Sequence, residues 1–203
     1  PATNPENPMP CYALDGLVPV IDPTAFVHPD AILIGDVIVG PQCYVGPAAS
    51  LRGDLGRIVL ERGANVQDAC VLHSFPDRDM LVEENGHIGH AAVLHCCTVR
   101  RDALIGIQAV LMDAVVVGEQ AIVGACSFVP ERTELPPRTL SVGSQARVVR
   151  ELSEAQLVGK CAATAVYHRL TERCLKTFQP VAPLTAPEPG RPRFDLPDVS
   201  ALE

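Results

Sequence analysis

From Val27 onward the chain repeats in sixes. An aliphatic residue recurs at Val27, Leu33, Val39, Val45 and Leu51, and a small residue stands four places after each of the first four, at Ala31, Val37, Cys43 and Ala49. Neither an amphipathic helix nor a hairpin sheet has that period. After three inserted residues around Leu55-Gly56-Arg57 the rule resumes at Leu60, Val66 and Leu72, with Ala64 and Cys70 inside. It lapses from Ser74 to Gly86, returns at Ile88 and Leu94, drops one residue, and runs on through Val99, Ile105, Leu111, Val117 and Val123. Repeats this short predict a parallel β-helix in which each hexad forms one short strand of a triangular coil and three hexads make one turn. The aliphatic side chain then fills the prism interior, and the small one sits where the chain turns a corner. Gly35, Gly40, Gly46, Gly106, Gly118 and Gly124 are assigned the corner conformations and close approaches, and no chemistry.

The flanks of the repeat differ in kind. Residues 1–10 carry Pro1, Pro5, Pro8 and Pro10 and read as a mobile lead-in to a β-helical domain of residues 11–150, whose exit from the coils is placed at Glu131 to Arg150. Ser153 and Gln156 then form a capping box for a C-terminal α-helix within residues 151–179. Leu157, Cys161, Tyr167, Leu170, Cys174 and Phe178 are expected on the side that packs back along the prism. In residues 180–203 the prolines at Pro180, Pro183, Pro187, Pro189, Pro192 and Pro197 predict an extended or disordered tail.

Composition narrows the partners. The chain has 203 residues and is 47% hydrophobic but only 4% aromatic, without Trp, so its core must be built of small aliphatic side chains. A formal charge of -8 argues against nucleic acid, which demands a basic footprint. Eight cysteines without paired spacing read as reduced, buried hydrophobes. With neither a signal peptide nor a bilayer-length apolar run, the cytoplasm is the expected compartment, with no membrane partner.

The candidate chemistry lies in the histidines. His73 directly follows Leu72 and His95 directly follows Leu94, so both take the same outward slot of their hexads, separated by one turn plus four residues. The segment Ser74 to Gly86 absorbs those four as a protruding loop, which stacks the two imidazoles one coil apart, at about 5 Å. His90 belongs to the hexad that begins at Ile88, one face earlier. It reaches the same metal only from a neighbouring prism, so the pattern predicts a homotrimer with His73, His90 and His95 holding zinc, or another divalent ion such as Fe²⁺ or Co²⁺, at each subunit interface. By themselves His90 and His95 are ordinary surface or core histidines; the register of His73 turns the reading toward metal. His28 and His87 are taken as structural and His168 as exposed.

The runs Leu51-Arg52-Gly53-Asp54, Asn65-Val66-Gln67-Asp68, Gly86-His87-Ile88-Gly89-His90, Ile122-Val123-Gly124-Ala125 and Val149-Arg150-Glu151-Leu152-Ser153 resemble the γ-class carbonic anhydrase-like hexapeptide-repeat family, in its PaaY/CaiE branch, from Tyr12 through Leu184. The resemblance implies a left-handed β-helix, zinc on His73, His90 and His95 with His90 donated by the adjacent subunit, and an Arg52–Asp54 pair across the trimer interface. It further implies that Gln67 and Asp68 line the pocket beside the metal and that Tyr167 closes it. Two departures stand out: Cys96 where relatives carry Gly, and no counterpart to the glutamate loop that moves protons in active γ-carbonic anhydrases. The function so implied is a zinc-dependent thioesterase acting on acyl-CoA in phenylacetate degradation, with Gln67 orienting water and Asp68 exchanging a proton. The alternatives are a carbonic anhydrase acting on CO₂ and a non-catalytic accessory protein for acyl-CoA enzymes. Hexapeptide acyltransferases share the scaffold but usually rely on one catalytic histidine. Arg100-Arg101 reads as a solvated corner rather than a grip on CoA phosphates.

Overall fold

The computed structural model describes residues 11–194; the expected mobile lead-in at 1–10 and the end of the tail lie outside them. Between, the chain winds a left-handed parallel β-helix of about seven turns, closed by one C-terminal helix. Each turn lays one short strand on each of three faces, and strands pair in parallel with their equivalents one coil away, as Phe26 does with Tyr44 and Leu104 with Ile122. The first face carries Val71–His73, Val93–His95 and Val110–Leu111, the second Met80–Val82 and Thr98–Val99, and the third Asn65–Val66, His87–Ile88 and Leu104–Ile105. Two long strands, Ile32–Val39 and Ser50–Leu60, run unbroken around the corner between the first two faces, joining them into one 12-stranded sheet.

Both members of each hexad are core. Leu33, Leu51, Leu72, Leu94 and Leu111 stack in one column with no exposed surface, and the small partners Ala31, Ala49, Ala92 and Ala109 are equally sealed. Close stacking of coils leaves no room for larger side chains at those sites.

The corners revise the part expected of glycine. Of the six glycines, Gly35 alone has a left-handed backbone, with φ 71°. The left-handed residue of most corners is the one just before the small partner, and it is seldom glycine: Gln42, Ala48, Ala69, Ala91, Gln108, Ala114 and Gln120 all lie between 56° and 58°. Gly40, Gly46, Gly106, Gly118 and Gly124 serve instead the approach of adjacent coils, where an added Cβ would lie 2.5–2.7 Å from an atom of the next coil.

Irregularities cluster on one corner. The lapse expected over Ser74 to Gly86 is shorter than that, because Met80 and Val82 are fully buried on the second face and complete the coil. The protrusion is confined to residues 74–79 and is pinched by a bridge between Phe75 and Arg78. The dropped residue falls at Cys96, whose φ of 46° explains why glycine suits that position. The coils also last longer than expected: Glu134–Leu135 and Thr139–Val142 still pair in parallel, and the exit is the antiparallel strand Arg147–Glu151.

The capping box forms as expected, with Ser153 and Gln156 bonded reciprocally at the start of α1, Glu154–Thr177. The buried stripe is not the apolar one. Leu157, Lys160, Thr164 and Thr171 face the prism, while Cys161 is exposed. Thr164 and Thr171 satisfy their hydroxyls on the helix's own carbonyls, and Lys160 Nζ donates to Asn85 O at 3.1 Å. Phe178 closes the end of the helix against Phe26 and His28, with ring centroids 5.4 and 5.1 Å away. Beyond it, residues 180–194 form neither helix nor strand. Among the described residues no helix is long and apolar enough to cross a membrane.

Candidate metal centre

His73 and His95 are Cα partners in adjacent coils of the first face, with Arg52 below them in the same column. Their ring centroids lie 5.1 Å apart, and His73 Nδ1 is 3.1 Å from His95 Nε2. Two nitrogens on one tetrahedral zinc stand about 3.3 Å apart at ordinary Zn–N lengths, so the pair fits two ligands of one ion. The opposite nitrogens are held by carboxylates. His73 Nε2 is 3.0 Å from Asp54 Oδ1, and His95 Nδ1 is 3.1 Å from Asp113 Oδ1, the latter off the N–H axis, so that it is an ion-pair distance without a formed hydrogen bond. Carboxylates so placed fix which nitrogen of each ring is left to bind a metal.

Asp54 also accepts from Arg52 Nη1 at 2.7 Å. Burial works against the Asp54 carboxylate, but the bonds from Arg52 and His73 outweigh it and hold its pKa below the ordinary value. Within one chain, then, Arg52 and Asp54 already form a pair. Asp113 was not anticipated from sequence. It occupies the corner stacked on Cys96, through Ala114 N–H to Cys96 O at 2.9 Å, and nothing in its hexad distinguishes it from other corner residues. His95, Cys96 and Asp113 bring three ligand-type atoms within 4.8 Å, but burial first and then Asp113 push the Cys96 thiol up to about 11, so it keeps its proton at neutral pH.

His90 lies at another corner, between the third face and the first. There it stacks on Asp68, whose Oδ2 is 2.8 Å from His90 Nδ1, and both side chains are nearly half exposed. His90 therefore shares the carboxylate-backed arrangement of the other two, on a different side of the prism, as its hexad predicts.

Gln67 is buried on the third face and lines a cavity of about 360 Å³ under α1, together with His87, His90 and Tyr167. The Tyr167 ring meets His87 edge-on at 5.3 Å, and burial and then Asp68 push its hydroxyl up to about 12. Gln67 Nε2 donates to Asn65 Oδ1 at 3.0 Å and lies 2.7 Å from His87 Nε2. His168, expected to be exposed, is half-buried with Nε2 at 3.0 Å from Gly63 O. Arg100 and Arg101 are engaged by Glu83 and Glu119, consistent with a solvated corner.

His87 yields a pH prediction. Burial, then the nearby Lys160 charge, lowers its pKa to about 3, so it is neutral in the folded chain, whereas the unfolded chain takes up a proton near the ordinary 6.5. The unfolded state thus binds more protons, and stability is lost as pH falls below about 6.5, by about 2 kcal/mol between pH 7 and pH 5. Denaturant titrations at both pH values should show this loss, and His87→Gln should shrink it by that amount; an equal loss in the variant would place the acid sensitivity elsewhere.

No protein-family model matches the chain. Among curated proteins it is 49% identical over 186 residues to the carnitine operon protein CaiE of Proteus sp. (strain LE138), covering 92% of this chain and 94% of that one. To the same protein of Escherichia coli (strain K12) it is 50% identical over 183 residues, covering 90% and 93%. Among solved structures, a Bacillus cereus protein provisionally described as an acetyltransferase is 31% identical with a TM-score of 0.80, over 81% of this chain and 96% of that one. A hexapeptide transferase family protein of Anaplasma phagocytophilum is 27% identical with a TM-score of 0.77, over 81% and 97%. The expected zinc thioesterase of phenylacetate degradation is overturned, because the matched relatives are carnitine operon proteins, and the PaaY side of the branch gains no support. At half identity over nine tenths of both lengths, the chain belongs to the CaiE family of hexapeptide-repeat β-helix proteins.

Proposed function

We propose that this chain is a homotrimeric, metal-holding accessory protein for acyl-CoA enzymes, of the kind its carnitine operon relatives suggest. The observation that carries the reading is the identity of about one half with CaiE along almost the whole chain. In the trimer, His73 and His95 of one subunit and His90 of the next would hold the ion, zinc being the natural choice for imidazole ligands. Three features support this assembly: the 3.1 Å approach of the His73 and His95 nitrogens, the outward position of His90, and an apolar ladder beside the histidine column. That ladder is Ile32, Ser50, Val71, Val93, Val110 and Phe128, register partners in successive coils and apolar at every rung but Ser50, with Ile32, Val71 and Val93 each more than a third exposed. A second copy would cover it at a gain of about 25 cal/mol per Å². A divalent ion so held supplies Lewis acidity toward a carbonyl oxygen. Asp54, Asp68 and Asp113 orient the three imidazoles, and Gln67 and Tyr167 shape the neighbouring cavity.

The test adds the purified zinc-loaded protein to a CoA-transferring enzyme that acts on carnitine. A rise of several-fold in that enzyme's rate, with no turnover of acyl-CoA by this protein alone, is expected. Light scattering and elemental analysis on the same sample should give three chains of 21.6 kDa and one zinc per chain. Independent turnover of an acyl-CoA or of CO₂ would defeat the accessory role, and a metal-loaded monomer would defeat the shared centre.

A further inference from the structure

Two of the three prism faces have an assigned cover. α1 lies over the third, where Tyr167 meets Tyr44 and Phe178 meets Phe26. The first carries the histidine column and the ladder given above to a neighbouring subunit. Among the described residues neither α1 nor any strand is stacked on the second face. Its outward positions are nevertheless apolar: Val20, Ile38, Val59, Leu81 and Val116 stand in one register column, broken by Thr98 before Val116 and ended by Glu134. Val20 is 57% exposed and the other four aliphatic residues are half-buried. At ordinary strand spacing the column is about 29 Å long. Threonine satisfies strand propensity and also faces water, yet only Thr98 uses it. Parallel sheets are ordinarily covered on both sides, and an apolar strip left open marks a docking surface.

Charged corners edge this strip. Arg57 and Arg132 on one side, and Arg100 and Arg101 on the other, are spent on carboxylates of this chain. The corner charges that make no ion pair among the described residues are mostly acidic: Glu61, Asp77, Asp79, Glu84 and Glu134 against Arg62 and Arg78. At the end of the strip a groove of about 600 Å³ combines an apolar lining from Val116, Leu135, Pro136 and Pro137 with the carboxylate of Glu134, and Arg100, its one lining cation, is already held by Glu83.

We propose that the second face is the surface by which this chain docks an acyl-CoA enzyme, through an apolar strip on the enzyme edged by lysine and arginine. The inference rests on the accessory reading and names where that partner binds. Charge selects the occupant. A second copy presenting the same face would set acidic rims against each other, whereas an enzyme that holds the phosphates of CoA carries cationic side chains around its site. The groove suits an arginine of the partner, whose stem lies against the prolines while its guanidinium reaches Glu134.

The experiment is calorimetric titration of the purified chain with the CoA-transferring enzyme that acts on carnitine, at about 50 and 300 mM salt. The parent should bind, and several-fold more weakly at the higher salt, because the rims attract. Leu81→Asp should weaken binding by at least about tenfold, as the loss of a central apolar contact does. Val59→Thr/Val116→Thr, which keeps the side-chain shapes, should weaken it by about threefold to tenfold and serves should the first variant fail to fold. Val158→Asp, on the exposed side of α1, should bind as the parent does. A parent that fails to bind at either salt would defeat the accessory reading and this occupant with it. A parent that binds, with both second-face variants unchanged or with Val158→Asp equally weakened, would overturn the surface alone. Sedimentation of the chain by itself should show nothing larger than the trimer; a larger assembly that Leu81→Asp abolishes would make a second copy the occupant and overturn the proposal.

Discussion

Zinc affinity should fall by more than about a hundredfold in His95→Ala and by about tenfold to a hundredfold in Asp113→Ala, with the trimer retained in the second variant. The larger loss follows from removing one of three proposed ligands, and His95 Nε2 is the nitrogen that meets His73 Nδ1 at 3.1 Å. The smaller loss follows from orientation. Asp113 Oδ1 stands 3.1 Å from the opposite nitrogen of His95, and without it the ring loses the partner that favours Nε2 as the free lone pair. Asp54 does the same for His73, but it also anchors Arg52, so replacing it would mix two effects. Competition with a chromophoric chelator measures both affinities, and light scattering on the same samples shows whether the assembly has survived. Unchanged affinity in Asp113→Ala would mean that the carboxylate is a bystander; full affinity in His95→Ala would move the centre away from the first face.

The histidine column was legible because a six-residue period ties sequence position to face. Once His73 and His95 are each known to follow an interior leucine, their stacking is fixed whatever the loop between them does, and the structure pairs them as expected. The same period separates His90 from them. What the period does not encode is the second carboxylate. Asp113 sits at a corner one coil further on, and corners accept many residue types, so no spacing marks it. The coil through Met80 and Val82 was hidden for a related reason: its approach carries an insertion, and Met80 replaces the usual branched aliphatic. The helix misled in another way. Its buried stripe includes Lys160, Thr164 and Thr171, whose polar groups are satisfied by backbone carbonyls, so that hydrophobicity alone points to the wrong residues, such as the exposed Cys161. Function was the least legible part, because a shared hexapeptide-repeat scaffold hosts several chemistries and the choice among relatives rests on identity along the whole chain.

Gly106→Ala should destabilise the fold by about 3 kcal/mol, near the upper end for overpacking, because the added methyl meets backbone rather than a movable side chain. Its Cβ would lie 2.5 Å from Ala125 N, 2.6 Å from Gly124 C and 2.7 Å from Val123 O, all in the next coil. Relief requires the coils to part, which stretches the bond from Gly106 N–H to Val123 O, now 2.8 Å, and those beside it. For a chain of this size the expected drop in melting temperature is roughly 6–12 °C. The contrasting variant is Ala114→Gly. Ala114 has a left-handed backbone with φ 57°, a conformation that costs an ordinary residue about 1–2 kcal/mol and glycine almost nothing. Glycine's greater freedom in the unfolded chain offsets about 0.4–1 kcal/mol of that relief, so the net change should lie between zero and a stabilisation of about 1.6 kcal/mol. Adding a methyl at one corner should therefore do far more harm than removing one at another, in a fold where simple propensity ranks alanine above glycine at both. Thermal scans of the two variants at one rate and one protein concentration provide the measurement. A Gly106→Ala melting point within about 1 °C of the parent would show that the coils yield more easily than their spacing implies. An Ala114→Gly loss as large as that of Gly106→Ala would instead show that the left-handed corners are held by contacts of the alanine methyl and not merely tolerated.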